Sequence, residues 1–79
     1  YNYLIMNNPV RDLLTWKMQL PMEGHLSIID IHGKCLFLEK INPNNNWHQL
    51  DLTSLTKGIY TAIVTSGSSQ IIRKKLVKL

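Results

Sequence analysis

The sequence predicts an all-β fold, a single antiparallel β-sandwich of about seven short strands. Turn-forming clusters recur about every ten residues along the chain. The pieces between them are mostly five to eight residues long, a length typical of strands rather than helices. Within these pieces apolar and polar residues alternate with period two, which places one apolar face on a core. Many short strands joined by such turns favour an immunoglobulin-like sandwich.

The first three strands follow from this alternation. The stretch YLIM at 3–6 is short and apolar, and a turn at Asn7-Asn8-Pro9 ends it. In DLLTWKM at 12–18, Leu14, Trp16 and Met18 share one face. In HLSIIDI at 25–31, Leu26, Ile28 and Asp30 share one face. Further turns are expected at 20–24 and 32–34.

The last four strands are predicted in the same way. CLFLEKI at 35–41 runs apolar and then polar, and an Asn/Pro-rich turn at 42–46 separates it from WHQLDL at 47–52. GIYTAIVT at 58–65 alternates cleanly. The final segment, after the turn at 66–69, would fit a helix about as well by spacing, but its length and its Gly/Ser lead-in favour a strand.

A shared period-two placement also predicts the core, and the turns predict the special backbone positions. Turn or corner positions are expected at Pro9, Asp30, Gly33, Gly58 and Tyr60, with positive φ at the two glycines. The predicted core consists of Leu14, Trp16, Leu26, Ile28, Leu36, Leu50, Leu52, Leu55, Tyr60, Ala62, Val64 and Leu76.

Length and charge limit the function classes. The 79 residues form one domain, 1–79, which we interpret as the end of a longer protein. No apolar run approaches the roughly 20 residues of a membrane-spanning helix. The first seventy residues carry five basic and five acidic side chains, so the net charge of +4 comes from the last nine, IIRKKLVKL, which contain four cations and no acid.

No residue set predicts catalysis, a metal or a cofactor. His32 and Cys35 have ligand-like spacing, but zinc needs about four ligands, so a turn histidine and a small buried thiol are the simpler interpretation. Ser54, His48 and Asp51 lie close in sequence, but a catalytic triad is defined by geometry. The glycines stand singly at strand boundaries, so no phosphate-binding loop is predicted.

The basic ending suggests nucleic acid, but single-strand binders stack bases on aromatic side chains. The last nineteen residues contain no aromatic, and Trp16 and Tyr60 occupy core-like positions. Nucleic-acid binding is therefore not expected. Alternatively, the lysines are an ordinary solvent-exposed face of the domain that binds no partner.

Four motifs in order resemble a known family. They are Asn8-Pro9-Val10-Arg11-Asp12, the hairpin from Leu26 through Asp30 to Gly33-Lys34, the block from Leu50-Asp51-Leu52 to Gly58-Ile59-Tyr60, and Lys74-Lys75-Leu76-Val77-Lys78 at the end. Together they are similar to the C-terminal sorting domain of proteins exported by the type IX secretion system. The family often has Tyr-Pro-Asn-Pro where this chain has Asn7-Asn8-Pro9, so only a turn is carried over there.

The resemblance implies a secretion signal and not a catalyst. Such domains take an N-terminal cargo protein through the periplasm of a Gram-negative bacterium to an outer-membrane translocon. A sortase-like peptidase then commonly removes the domain, and the cargo reaches the cell surface or the medium. On this basis the recognition residues are expected to be Lys74, Lys75, Leu76, Val77 and Lys78, with Leu76 anchoring the strand. A homodimer remains open, as does the alternative of an accessory β-sandwich that binds carbohydrate or a cell surface.

Overall fold

Seven strands and no helix make up the described part of the chain. The structure, a computed structural model, describes residues 3–19, 23–42, 47–67 and 69–79. The predicted turns at 20–24, 42–46 and 66–69 lie partly outside these residues. The strands are β1 (Tyr3–Met6), β2 (Leu13–Gln19), β3 (Gly24–Ile29), β4 (Cys35–Ile41), β5 (Trp47–Asp51), β6 (Gly58–Ser66) and β7 (Ser69–Lys78).

The strands form two antiparallel sheets. One sheet has three strands in the order β1-β2-β5, and the other has four in the order β4-β3-β6-β7. The first, second and fifth strands therefore oppose the third, fourth, sixth and seventh, which is an immunoglobulin-like division of the chain. No helix of the described residues is long and apolar enough to cross a membrane. The predicted fold class is confirmed, and the final segment is a strand.

The core lies between the two sheets and contains most of the predicted residues. Leu14, Ile28, Leu52 and Leu76 are each 0% exposed. The prediction is wrong for three residues, which are only partly buried and pack against the core: Leu36, Leu50 and Leu55. The first two lie on edge strands and the third lies in a loop, where neighbours cover only one side.

Five buried apolar residues were not in the predicted core: Leu4, Val10, Met18, Ile41 and Ile63. Ile63 shows why alternation alone misses some of them. It lies on the outer face of the four-stranded sheet, but β6 is a central strand, and Ile63 is flanked by Ser27 on β3 and Arg73 on β7. Side chains of the neighbouring strands therefore cover an outward residue in the middle of the sheet.

Candidate recognition site on the last strand

The last strand is an edge of the four-stranded sheet. β7 pairs antiparallel with β6 from Ser69 to Lys78, with a register irregularity opposite Val64 and Thr65. Leu76 is fully buried. Since successive side chains alternate between faces, Lys74 and Lys78 share the inner face with Leu76. Arg73, Lys75 and Val77 then lie on the outer face.

The inward lysines are held by backbone oxygens. The Lys74 Nζ donates a hydrogen bond of 2.9 Å to the carbonyl of Leu4 on the opposite sheet. Lys78 is only 6% exposed, and its Nζ donates to the carbonyl of Leu79 at 3.3 Å. Lys78 thus buries its methylenes while its amine finds an acceptor, whereas Lys74 remains exposed apart from this bond. The expected recognition set therefore divides: Lys75 is the outward cation, whereas Lys74 and Lys78 have structural contacts.

A short segment at 8–10 covers the outer edge of β7 near its end. Val10 forms a parallel bridge with Lys78, and its N–H donates to the Val77 carbonyl at 2.8 Å. The Leu79 N–H in turn donates to the Val10 carbonyl at 2.8 Å. Val10 is fully buried, so the segment is fixed by its own side chain. We call residues 8–10 the clasp.

The Asn8 side chain extends the clasp along β7. Its Oδ1 accepts the Val77 N–H at 3.0 Å, and its Nδ2 donates to the Lys75 carbonyl at 2.8 Å. The neighbouring Asn7 makes the same kind of pair with β2: its Oδ1 accepts the Thr15 N–H at 2.7 Å and its Nδ2 donates to the Leu13 carbonyl at 3.0 Å. The two adjacent amides thus bind the two sheets at one end of the sandwich.

The β3–β4 turn lies at the same end of the sandwich as the clasp, because Ile29 pairs with Thr61 near the start of β6. The Asp30 Oδ1 accepts the N–H groups of His32 and Lys34, both at 2.9 Å. These bonds lower the pKa of Asp30 from its usual value, and the bond from the Lys34 N–H has the largest effect. They also end β3 at Ile29, two residues before the predicted end.

The loop before β6 is closed by a tyrosine corner at this same end. The Tyr60 hydroxyl donates to the Thr56 carbonyl at 2.6 Å, four residues upstream, as in other immunoglobulin-like sandwiches. The Asp51 carboxylate accepts the Thr53 N–H at 2.9 Å, which lowers the pKa of Asp51. Gly33 and Gly58 have φ of 84° and 155°, the positive values that the turn argument predicts.

The electrostatics of the described residues leave the β7 cations without an acidic partner. The one ion pair among the described residues joins Lys40 and Glu23 at 3.3 Å, on exposed side chains away from β7. Two acids at the clasp end, Asp30 and Asp51, direct an oxygen to local backbone N–H groups. Arg73 and Lys75 are exposed and form no ion pair among the described residues.

The residues singled out as metal ligands do not form a ligand cluster in the part of the chain that the structure describes. No group of three or more His, Cys, Asp or Glu side chains converges there. Cys35 is exposed, with its Sγ near the Phe37 carbonyl at 3.3 Å, so the expectation of a buried thiol is wrong. Its position at the start of an edge strand, next to a turn, leaves it open to solvent.

Trp47 is the feature that the carbohydrate-binding alternative would use. It is 58% exposed on the three-stranded sheet, and the Lys17 Nζ lies 5.8 Å from the centre of its ring. A shallow cavity of about 560 Å³ is lined by Trp47, His48, Gln49 and Thr15. Among the described side chains no second exposed aromatic joins Trp47, whereas a sugar-binding face would present a row.

Sequence reasoning missed the clasp, although it placed a turn at Asn8 and Pro9. The sequence does contain a signal for it: two adjacent amide side chains before a proline, followed by a valine outside any predicted strand. Nothing in the local pattern says which distant backbone the amide meets. That partner is 67 to 69 residues away in the chain.

Comparison with known proteins gives one family. The family model described as "Secretion system C-terminal sorting domain" matches residues 5–78, which is nearly the whole chain and includes both the clasp and β7. Neither the comparison with curated proteins nor that with solved structures found a match.

Proposed function

The chain belongs to the family of type IX secretion C-terminal sorting domains, and we propose that the export machinery reads it at the clasped end of β7. A domain of this family is the sorting signal that marks a protein for export to the cell surface or the extracellular space. It acts by interacting with the secretion machinery on behalf of an N-terminal cargo. Domains of this kind are not known as catalysts.

The charge and exposure of the outer β7 face support this location. Arg73 and Lys75 are exposed and lie without an acidic partner among the described residues. A cationic patch of this kind attracts an acidic surface and sets its orientation more than its affinity. Leu76, on the opposite face, anchors the strand in the core, so the patch stands on a rigid support.

The same β7 cations also keep the edge from pairing with the wrong strand. Lys and Arg on an edge strand disfavour the addition of a further strand from another chain. The clasp blocks the last part of that edge directly, through the bonds from Val10 to Val77 and from Leu79 to Val10. Nothing in the described residues supports the homodimer that was left open.

We further propose that the partners are the outer-membrane translocon and a sortase-like peptidase, which separates this domain from its cargo. The proposal draws on the family assignment. The carbohydrate-binding alternative has less support, because Trp47 stands alone among the described exposed aromatics.

The test compares two lysines on the two edges of one sheet. Lys75 on β7 and Lys40 on β4 are both exposed and lie on the outer face. Lys75→Gln and Lys40→Gln remove the same charge, and Lys75→Gln should change the free energy of unfolding by only about ±0.5 kcal/mol. Lys40→Gln also removes the exposed ion pair with Glu23, which is worth at most about 1 kcal/mol. In the full cargo protein, Lys75→Gln is expected to reduce export with the fold retained, and Lys40→Gln to export normally. Adding Arg73→Gln should deepen the defect. Normal export of the folded Arg73→Gln/Lys75→Gln protein would show that this patch is only a solvated edge.

A further inference from the structure

Asn8 contacts the end of β7, where the function proposed above locates the sorting signal. We infer that Asn8 is a positioning residue for the sorting signal, and that the surface presented to the export machinery is a composite of residues 8–10 and 75–79. The inference rests on the function proposed above. On this inference the signal is not a linear segment at the end of β7 but a surface formed jointly by residues 8–10 and 75–79.

The Asn8 amide takes the place of a peptide group from a neighbouring strand. In an antiparallel sheet, every second residue of an edge strand turns both its N–H and its C=O away from its partner. On β7 these outward groups include the Lys75 carbonyl and the Val77 N–H, and Asn8 satisfies both, at 2.8 and 3.0 Å. A side-chain amide carries one acceptor and one donor group, as a peptide does.

This contact constrains the position of the strand and does not depend on which side chains the strand carries. Asn8 binds backbone atoms only, so it specifies where Lys75 and Val77 lie and leaves their outward side chains free for a partner. β6 holds one edge of β7 in regular register from Lys74 to Lys78, and the clasp binds the opposite edge over the same stretch. The clasp is therefore a second constraint on the end of the strand, from its other side.

The clasp also places its own atoms beside the outward side chains of β7. Asn8 and Pro9 are exposed, next to Lys75 and Val77. A partner that contacts the outer edge at this end of β7 must therefore contact the clasp as well.

Asn7 provides a matched control for Asn8. Both are exposed asparagines in one turn, and each makes two amide hydrogen bonds to a backbone, but those of Asn7 go to β2 and not to β7. Asn7→Ala and Asn8→Ala should therefore lower the melting temperature by similar amounts. Only the second should release β7.

The first measurement is amide hydrogen exchange by NMR on the full chain. In Asn8→Ala the Val77 amide should exchange about fivefold faster or more, the value expected for losing one net hydrogen bond. In Asn7→Ala the Val77 amide should keep its rate, and the Thr15 amide should become faster instead. Unchanged exchange of Val77 in Asn8→Ala would overturn the positioning role, whatever happens to export.

The second measurement is export of the full cargo protein. Asn8→Ala is expected to block export, while Asn7→Ala, equally destabilised, is exported. Equal export of the two variants would overturn the composite surface. If Lys75→Gln blocks export in that same experiment, the proposed function stands and only the role of Asn8 fails.

A second variant covers the case in which Asn8→Ala does not fold. Asn8→Asp keeps an acceptor for the Val77 N–H but, when ionised, has no donor for the Lys75 carbonyl. It is expected to fold, to keep slow exchange at Val77 and to show reduced export. Wild-type export by Asn8→Asp would refute the need for the bond to Lys75.

Discussion

Replacing Tyr60 by Phe isolates the bond that closes the loop before β6. The Tyr60 ring is buried, with 7% of the residue exposed, and its hydroxyl donates to the Thr56 carbonyl at 2.6 Å. Phe keeps the ring and loses only the hydroxyl. Because Thr56 is exposed, water can reach its freed carbonyl, so the loss should lie near the usual net value of about 1 kcal/mol. For a domain of this size that corresponds to a fall in melting temperature of roughly 4–8 °C.

The assay is thermal and urea unfolding followed by circular dichroism, with an unchanged urea m value as the check that the unfolded state is the same. Thr56→Val is the control. It removes the hydroxyl that lies 3.1 Å from the Tyr60 oxygen but keeps the carbonyl acceptor. We expect it to change stability by less than about 0.5 kcal/mol. If Tyr60→Phe unfolds at the wild-type midpoint, the corner hydrogen bond contributes nothing and the loop is held by packing alone.

The fold was predictable because its strands carry the information locally. The alternation of Leu14, Trp16 and Met18 is enough to assign a strand and its buried face. Strand ends were less accurate. β3 stops at Ile29 because Asp30 bonds the following turn, a side-chain effect that periodicity does not register.

The candidate site was only partly predictable, because its contacts are long-range. The charge excess indicated β7, but the sequence gives Lys74, Lys75 and Lys78 the same character. The structure distinguishes them, since Lys74 reaches Leu4 on the other sheet and Lys78 is buried. The clasp joins Asn8 to Val77 across 69 positions of the chain, which no local pattern could specify.

Sequence separation also ties the proposed signal to folding. β7 can form a hairpin with β6 early, since the two are adjacent in the chain. The clasp closes only when the segment around Val10 has packed into the core, because Val10 is fully buried. Long-range contacts of this kind are costly in loop entropy until the rest of the fold compensates for it. On the composite surface proposed above, an unfolded domain therefore presents no complete signal.

Two further predictions concern the stability of the sandwich. Ile28→Ala truncates a fully buried side chain in the central strand β3 and should cost roughly 2–5 kcal/mol, enough to unfold so small a domain; an unchanged melting temperature would contradict the core assignment. The second is loss of stability in acid. The folded pKa values of Asp30 and Asp51 lie below the ordinary 3.8, because backbone N–H groups, chiefly of Lys34 and Thr53, bind the ionised forms. Their contribution is therefore complete above the unfolded pKa and is lost as the pH falls through the folded values. Thermal melts should then show a constant contribution from these groups near neutral pH and a decline below about pH 4. The Asp30→Asn/Asp51→Asn double variant, which cannot titrate at these positions, should decline less steeply over the same range, and parallel curves for the two proteins would show that neither carboxylate stabilises the fold.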